Sequence, residues 1–294
     1  MDRNACLLVN PSAGGGKAAR VLPDVEVELR RLGVTFRTEL TQSLEHADEL
    51  ARAAAGAGEA IVTLSGDGLI GHVVGVLRDI PGALLGVLPG GRGNDFARVL
   101  GVPLDPIPAC AVLADGEIRA LDIGDVDGRS FIGIASLGFD SVANELANRA
   151  PGWLGGQAYT YAALRALATW KAATFTVEVG GETRTFAGWS VAVANSKAYG
   201  GGMFVAPDAD LQDGELDVVL SSDSSKLKFL SVLPKVFKGE HVHEENVTVL
   251  RGATVRISAD RPFTVFADGD PIGELPVTIS AVPGALNVLC PRAS

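Results

Sequence analysis

Continuous apolar runs at residues 5–9, 60–64 and 83–88, with a more mixed one at 34–40, alternate with stretches whose apolar positions recur at helical spacing. Unbroken runs rich in Val, Ile and Leu predict strands buried on both faces, as in a parallel sheet. The helical stretches reach from the first turn to residue 32, then cover 45–55, 69–77 and 96–100. Four strands alternating with helices predict a doubly wound α/β domain, whose ligands bind at the carboxyl ends of the strands. From about residue 118 the pattern changes. Strands are expected at 121–126 and 131–135, helices at 140–149 and 158–171. Strands then follow at 174–179, 183–194, 215–220, 247–250, 254–258, 263–267, 277–281 and 286–289. This predicts a second, mostly antiparallel domain, with residues 1–120 in the first and 121–285 in the second.

The polar turns after the first four strands carry the candidate chemistry. They are Asn10-Pro11-Ser12-Ala13-Gly14-Gly15-Gly16-Lys17, then Thr41, then Ser65-Gly66-Asp67-Gly68-Leu69, then Pro89-Gly90-Gly91-Arg92-Gly93-Asn94-Asp95. Glycines let the backbone approach a bound group, and a helix N-terminus favours phosphate. Lys17 adds a cation, although the spacing is not that of a P-loop. Asp67 cannot itself favour an anion; it suits a metal, a water or a substrate hydroxyl. Each turn alone is also an ordinary strand-to-helix connection. Four on one sheet edge are better evidence for a site.

Four later segments add to this. Residues 195–203 form a Gly-rich turn after a strand. Residues 207–217, with Asp210, Asp213 and Glu215, suit a hard cation such as Mg²⁺, or else form an acidic solvated turn. Asp268-Gly269-Asp270 at a strand end suits a base and a metal ligand, or a hairpin turn. Residues 225–238 are basic and apolar. Lys226, Lys228, Lys235 and Lys238 there are suited to anionic headgroups, unless the segment is a helix covering the second domain.

Composition bounds the function. The 294 residues are 47% hydrophobic and 20% charged, which fits two domains with a sizeable core. A net charge of −10 argues against nucleic acid as a partner. Three distant cysteines, Cys6, Cys110 and Cys290, predict buried thiols in a reducing compartment rather than disulfides or zinc. The start of the chain lacks a signal-peptide pattern, and no run of about 18 apolar residues is present. The expected location is cytoplasmic.

Taken in order, these motifs, with Phe96-Ala97-Arg98 and Asp213-Gly214-Glu215-Leu216-Asp217, resemble the diacylglycerol kinase catalytic-domain family, which includes bacterial lipid kinases and sphingosine kinases. The resemblance implies a nucleotide-binding α/β domain, a β-sandwich lipid-substrate domain and a cleft between them. It also implies a final strand, within 286–294, that returns to the first domain. The implied reaction transfers the γ-phosphoryl of ATP to a lipid hydroxyl with Mg²⁺. By motif, Asn10, Pro11, Ser12, Ala13, Gly14, Lys17, Thr41, Gly66, Asp67, Gly68, Leu69, Ile70, Gly71, His72 and Arg92 would serve the nucleotide. Asp67 would orient ATP-Mg or the acceptor. Asp213, with carbonyls of Asp210 and Glu215, would form a structural magnesium site. Asp270 stands where the bacterial family usually has a Glu general base, with Asp67 and Asp268 as nearby alternatives. The sequence departs from the family at Leu69 and Arg92, where Thr is usual, and at Gly71-His72, where Asn-Glu is usual. The implied partners are a lipid presented at a membrane surface, met peripherally, and a second copy through an edge strand. Rival readings are a lipid- or nucleotide-binding protein with little catalysis, and an NAD kinase-like enzyme.

Overall fold

The computed structural model describes residues 4–148 and 158–292. In the first lobe β1 (Ala5–Val9), β2 (Phe36–Leu40), β3 (Ala60–Ser65) and β4 (Leu84–Pro89) pair in parallel in the order β4-β3-β1-β2. β1, β3 and β4 are buried along their whole length, which is why they read as unbroken apolar runs. Helices α1 (Ala13–Arg31) and α5 (Pro106–Asp115) pack together on one side; α2 (Leu44–Gly56) and α3 (Asp67–Leu77) pack together on the other. A short α4 (Asp95–Val99) follows β4. α5 was not expected from the sequence. Its signal is Asp105, whose side chain accepts the Ile107 amide at 3.1 Å, with Pro106 at the first helical position.

The second lobe contains β5 (Glu117–Val126), β6 (Arg129–Phe131), β7 (Ile134–Gly138), α6 (Phe139–Asn148), α7 (Ala158–Thr169), β8 (Ala173–Val179), β9 (Glu182–Ala194) and β10 (Leu216–Ser222). It continues with α8 (Lys226–Val236), β11 (Val247–Gly252), β12 (Thr254–Ala259), β13 (Thr264–Ala267), β14 (Asp270–Glu274) and β15 (Val277–Cys290). The expected end of the first helix of this lobe, Arg149, lies outside the described residues. β9 pairs with β8 along its first half, then runs between β7 and β10. A strand that changes partners in this way folds the strands into a β-sandwich-like body. Its core is aromatic: Trp189 stacks on Phe229 with ring centroids 4.1 Å apart, and Trp170 and Phe175 pack nearby.

Two expectations are corrected. Residues 131–135 are not one strand; they break at Ile132-Gly133, whose amides turn toward a carboxylate described below. Residues 277–281 and 286–289 are not two strands but one, β15, with a register shift between Val282 and Leu286. Its first part pairs antiparallel with β12, and Asn287 and Val288 pair parallel with β4. β15 therefore joins the lobes, with β5 antiparallel beside both of its parts. Cys6, Cys110 and Cys290 are buried and unpaired, and burial pushes their thiols up to about 11, 12 and 11. No helix among the described residues is long and apolar enough to cross a membrane.

Candidate active site

The glycine turns pack backbone against backbone. Gly14, Gly15 and Gly16 take φ of 60, 67 and 83°, which side chains disfavour. A Cβ on Gly14 would lie 2.6 Å from the Gly90 carbonyl oxygen, and one on Gly91 would lie 2.4 Å from Gly66 Cα. The loops after β1, β3 and β4 thus form one patch of bare backbone. Asn10 Oδ1 accepts the Ser12 amide at 3.0 Å and closes the turn through Pro11 toward Ala13. Lys17 stands half-buried one turn further on. Thr41 lies at the same edge, but it is buried, with its hydroxyl donated to the Val9 carbonyl at 3.3 Å. Leu69 and Ile70 turn their side chains into the core of the first lobe, so only their backbone faces the loop.

Asp67 opens α3. Its Oδ2 accepts the Asp95 amide and its Oδ1 the Phe96 amide, both at 3.1 Å, so the carboxylate caps α4. Burial lifts its pKa; the two amides oppose this, and the nearby charge of Asp95 adds to it. Asp95 Oδ2 in turn accepts the amide of Gly201 at 2.7 Å, across from the other lobe.

Asp268 comes from the second lobe. Asp268 and Gly269 have φ of 52 and 98° and form the two-residue turn joining β13 to β14, with Ala267 opposite Asp270. The hairpin and the chemical reading of this motif are therefore compatible: the turn presents the acid. The Asp268 carboxylate accepts the amides of Ile132 at 2.8 Å, Gly133 at 2.9 Å and Ile134 at 3.3 Å. This is why the strand expected at 131–135 is interrupted. Burial lifts Asp268 to about 6; the amides act against that and the Asp67 charge acts with it. Asn195 is buried and donates to the carbonyls of Asp122 and Ile132, both at 3.0 Å, which braces the same segment.

Between the lobes lies a hollow of about 500 Å³ lined by Asp67, Arg92, Ser136, Asn144, Tyr199 and Asp268. A second, of about 240 Å³, is lined by Asp48, Arg52, Gly71, His72, Arg129 and Asp270. Gly68 and Asp268 line both, so the two are halves of one cleft. The structure brings Asp67 and Asp268 together in the larger half. It sets Asp270, exposed, in the smaller half, which His72 also lines. A third, apolar hollow of about 100 Å³ shares Tyr199 and Met203 with the first and is walled by Phe229, Val232, Leu233 and Val236.

The acidic loop holds a guanidinium among its carboxylates. Asp213 Oδ2 is bonded to the Arg251 guanidinium and its Oδ1 accepts the Glu215 amide at 2.9 Å. Asp210 accepts the Gln212 amide at 3.0 Å. Arg251 also lies 3.7 Å from Glu215 and 3.3 Å from the buried Asp217. The position expected for magnesium thus has the chain's own cation beside it. Among the described residues no group of three or more His, Cys, Asp or Glu side chains is placed to hold a metal.

Sequence reasoning included Asn195 in the 195–203 turn and Asp95 in the fourth loop without giving either a chemical role, and it did not single out Gly133 or Arg251. Gly133 had a signal: a glycine inside an apolar strand pattern marks a close approach of another group. A Cβ there would lie 2.3 Å from Asp268 Oδ1.

Fold and site define a two-lobed protein, an α/β domain and a β-sandwich-like domain, with carboxylates from both lobes lining the cleft. Two family models match in turn: the diacylglycerol kinase catalytic domain over residues 4–126, and the YegS C-terminal NAD kinase beta sandwich-like domain over residues 133–290. The sequence is 35% identical to a diacylglycerol kinase of Mycobacterium tuberculosis over 97% of this chain and 94% of that one. It is 26% identical to a diacylglycerol kinase of Bacillus subtilis over 99% and 97%. A crystal structure of a diacylglycerol kinase from Bacillus anthracis has the same fold, with a TM-score of 0.76 at 18% identity, covering 98% of this chain and 97% of that one. The chain belongs to the diacylglycerol kinase family.

Proposed function

We propose that the protein is an ATP- and Mg²⁺-dependent kinase that phosphorylates the hydroxyl of a lipid of the diacylglycerol or sphingoid type. The observation that carries this reading is the pair Asp67 and Asp268, facing one hollow beside the bare-backbone loops. Phosphoryl transfer needs positioned groups and charge neutralisation more than covalent chemistry from the protein. The amides of the Gly14 and Gly66–Gly68 loops, with Lys17 and Arg92, suit the triphosphate. Mg²⁺ would supply further neutralisation of the phosphate oxygens, with Asp67 the acid nearest those loops. The lipid hydroxyl oxygen attacks the γ-phosphorus as the bond to the β–γ bridging oxygen breaks. The hydroxyl proton passes to Asp268, and ADP leaves.

Asp268 is preferred to Asp270 as acceptor because it shares the hollow with Asp67 and has a pKa of about 6, near the working pH of a general base. The placement of Asp270 in the other half of the cleft, which His72 also lines, supports a second assignment, in which the acceptor enters from that side. The test incubates the protein with labelled ATP, Mg²⁺ and extracted lipids, with NAD as a separate acceptor. Label in a lipid is the expected result, and Asp67→Ala and Asp268→Ala should each lose about 10²–10⁴-fold in turnover. Loss in Asp270→Ala with a competent Asp268→Ala moves the base to Asp270. Label in NAD, or ATP binding without transfer, overturns the reading.

A further inference from the structure

We propose that the outer face of α8, with the adjoining end of α7, seats the protein on a phospholipid bilayer; this rests on the lipid-kinase reading and names its docking surface. α8 has two apolar faces. Phe229, Val232 and Val236 turn inward and wall the third hollow. Leu227, Leu230, Leu233 and Phe237 are 81, 41, 40 and 54% exposed. At about 100° per residue these four share roughly a third of the helix circumference. Lys226 Nζ donates to the Ala168 carbonyl at 2.9 Å, which sets the start of α8 against the end of α7; Leu164 and Tyr161, about one and two turns earlier in α7, are exposed as well. Of the twelve exposed large apolar side chains among the described residues, six lie on or beside these two helices. An apolar surface of this concentration needs a partner.

The charges say which partner. The lysines expected to grip anionic headgroups are largely engaged within the protein. Lys228 and Lys235 both bond Glu244, whose carboxyl they hold down at about 2. They fasten the helix to residues 240–244, so the apolar stripe is held outward. Lys226, Lys228, Lys235 and Lys238 stand against Glu240, Glu244 and Glu245, so the patch is close to neutral in a chain of charge −10. It is a face on which an acidic protein approaches an anionic bilayer without net repulsion. Leu233 belongs both to the exposed stripe and to the wall of the third hollow, which meets the carboxylate hollow at Tyr199 and Met203. An acyl chain leaving the bilayer here stays against apolar side chains on its way to the cleft, which a second copy of the chain would not require. The contact is therefore apolar and weakly sensitive to salt.

The test is co-sedimentation with vesicles of phosphatidylcholine alone and of phosphatidylcholine with phosphatidylglycerol, at low salt and at about 0.5 M salt. The wild type is expected to bind both, with less than about a threefold loss in salt. Leu227→Asn, Leu230→Asn and Phe237→Asn together should weaken vesicle binding at least about tenfold. The same variant should melt like the wild type and keep its turnover of a short-chain, water-soluble lipid acceptor. Wild-type vesicle binding by the triple variant overturns the proposal, as does complete release of the wild type by salt. So does a wild-type dimer that the triple variant dissociates, without vesicle binding. If no lipid acceptor is phosphorylated but the vesicle results hold, the docking face stands and the kinase reading fails.

Discussion

Gly133 donates its amide to Asp268 Oδ1 at 2.9 Å from a position where any side chain would collide with that carboxylate. The seat for the acid is thus made of backbone from a segment 135 residues earlier in the chain. Gly133→Ala should push Asp268 out of register with Asp67. A displacement of about 1 Å at a reacting group costs on the order of 10²-fold in rate. Turnover of the lipid acceptor, with the melting temperature measured alongside, checks this. An alanine variant with full activity would show that the seat is dispensable.

Asp268 also sets a pH dependence. Its pKa is raised to about 6 from the usual 3.8. The folded state therefore favours the neutral acid. That increment of stability is complete below about pH 4 and is lost as the pH rises toward 6. Activity runs the other way, because only the ionised group accepts a proton; kcat/KM should rise through about pH 6. Asp67→Asn removes one of the charges that lift Asp268, so the Asp268 titration, followed by carboxyl carbon NMR, should move to lower pH.

The Asp95 link between the lobes is a separate target. Asp95→Ala leaves the Gly201 amide without its acceptor, a loss of about 1 kcal/mol because Gly201 is exposed and its amide can turn to water. For a chain of this size that is a fall of about 2–4 °C in melting temperature. Asp95→Asn keeps an acceptor oxygen and should lose less. Thermal scans of the two variants distinguish an acceptor role from simple packing.

Arg251 should make the acidic loop indifferent to divalent cations. Chelator is expected to leave the wild-type melting temperature unchanged. Arg251→Met leaves the buried Asp217 beside Asp213 and Glu215 with no guanidinium. Because Arg251 is itself 45% exposed, the loss is on the order of 2 kcal/mol rather than the full value of a buried pair. Mg²⁺ should recover part of that loss in the variant only. A chelator-sensitive wild type would restore the metal site expected from the sequence.

The first lobe was legible because its signals are local. Three of its four strands are short apolar runs, each closed by its own turn, and Asp67 sits in one of those turns. The second lobe was less so, because its decisive features depend on partners far away in the chain. The break at Ile132-Gly133 exists only because Asp268 arrives there. β15 reads as two strands because Pro283-Gly284 interrupts its pattern, yet the register shift lets Gly284 donate to the buried Asp122 at 2.7 Å. Arg251 faces Asp217 through the pairing of β10 with β11, a register that composition does not reveal. The family resemblance put Asp270 ahead of Asp268 as the base; the hairpin turn sets Asp268 in the hollow that Asp67 lines and Asp270 in the other half of the cleft.

β15 has a mechanical consequence. A strand that is hydrogen-bonded to β12 at one end and to β4 at the other is a splice, not a hinge. Cutting the chain near residue 120 would leave the amino-terminal piece without the neighbour of β4, and a large swing of one lobe would tear the shared ladder. The ladder thus opposes a wide opening of the jaws, and the break between Val282 and Leu286 is where it yields first.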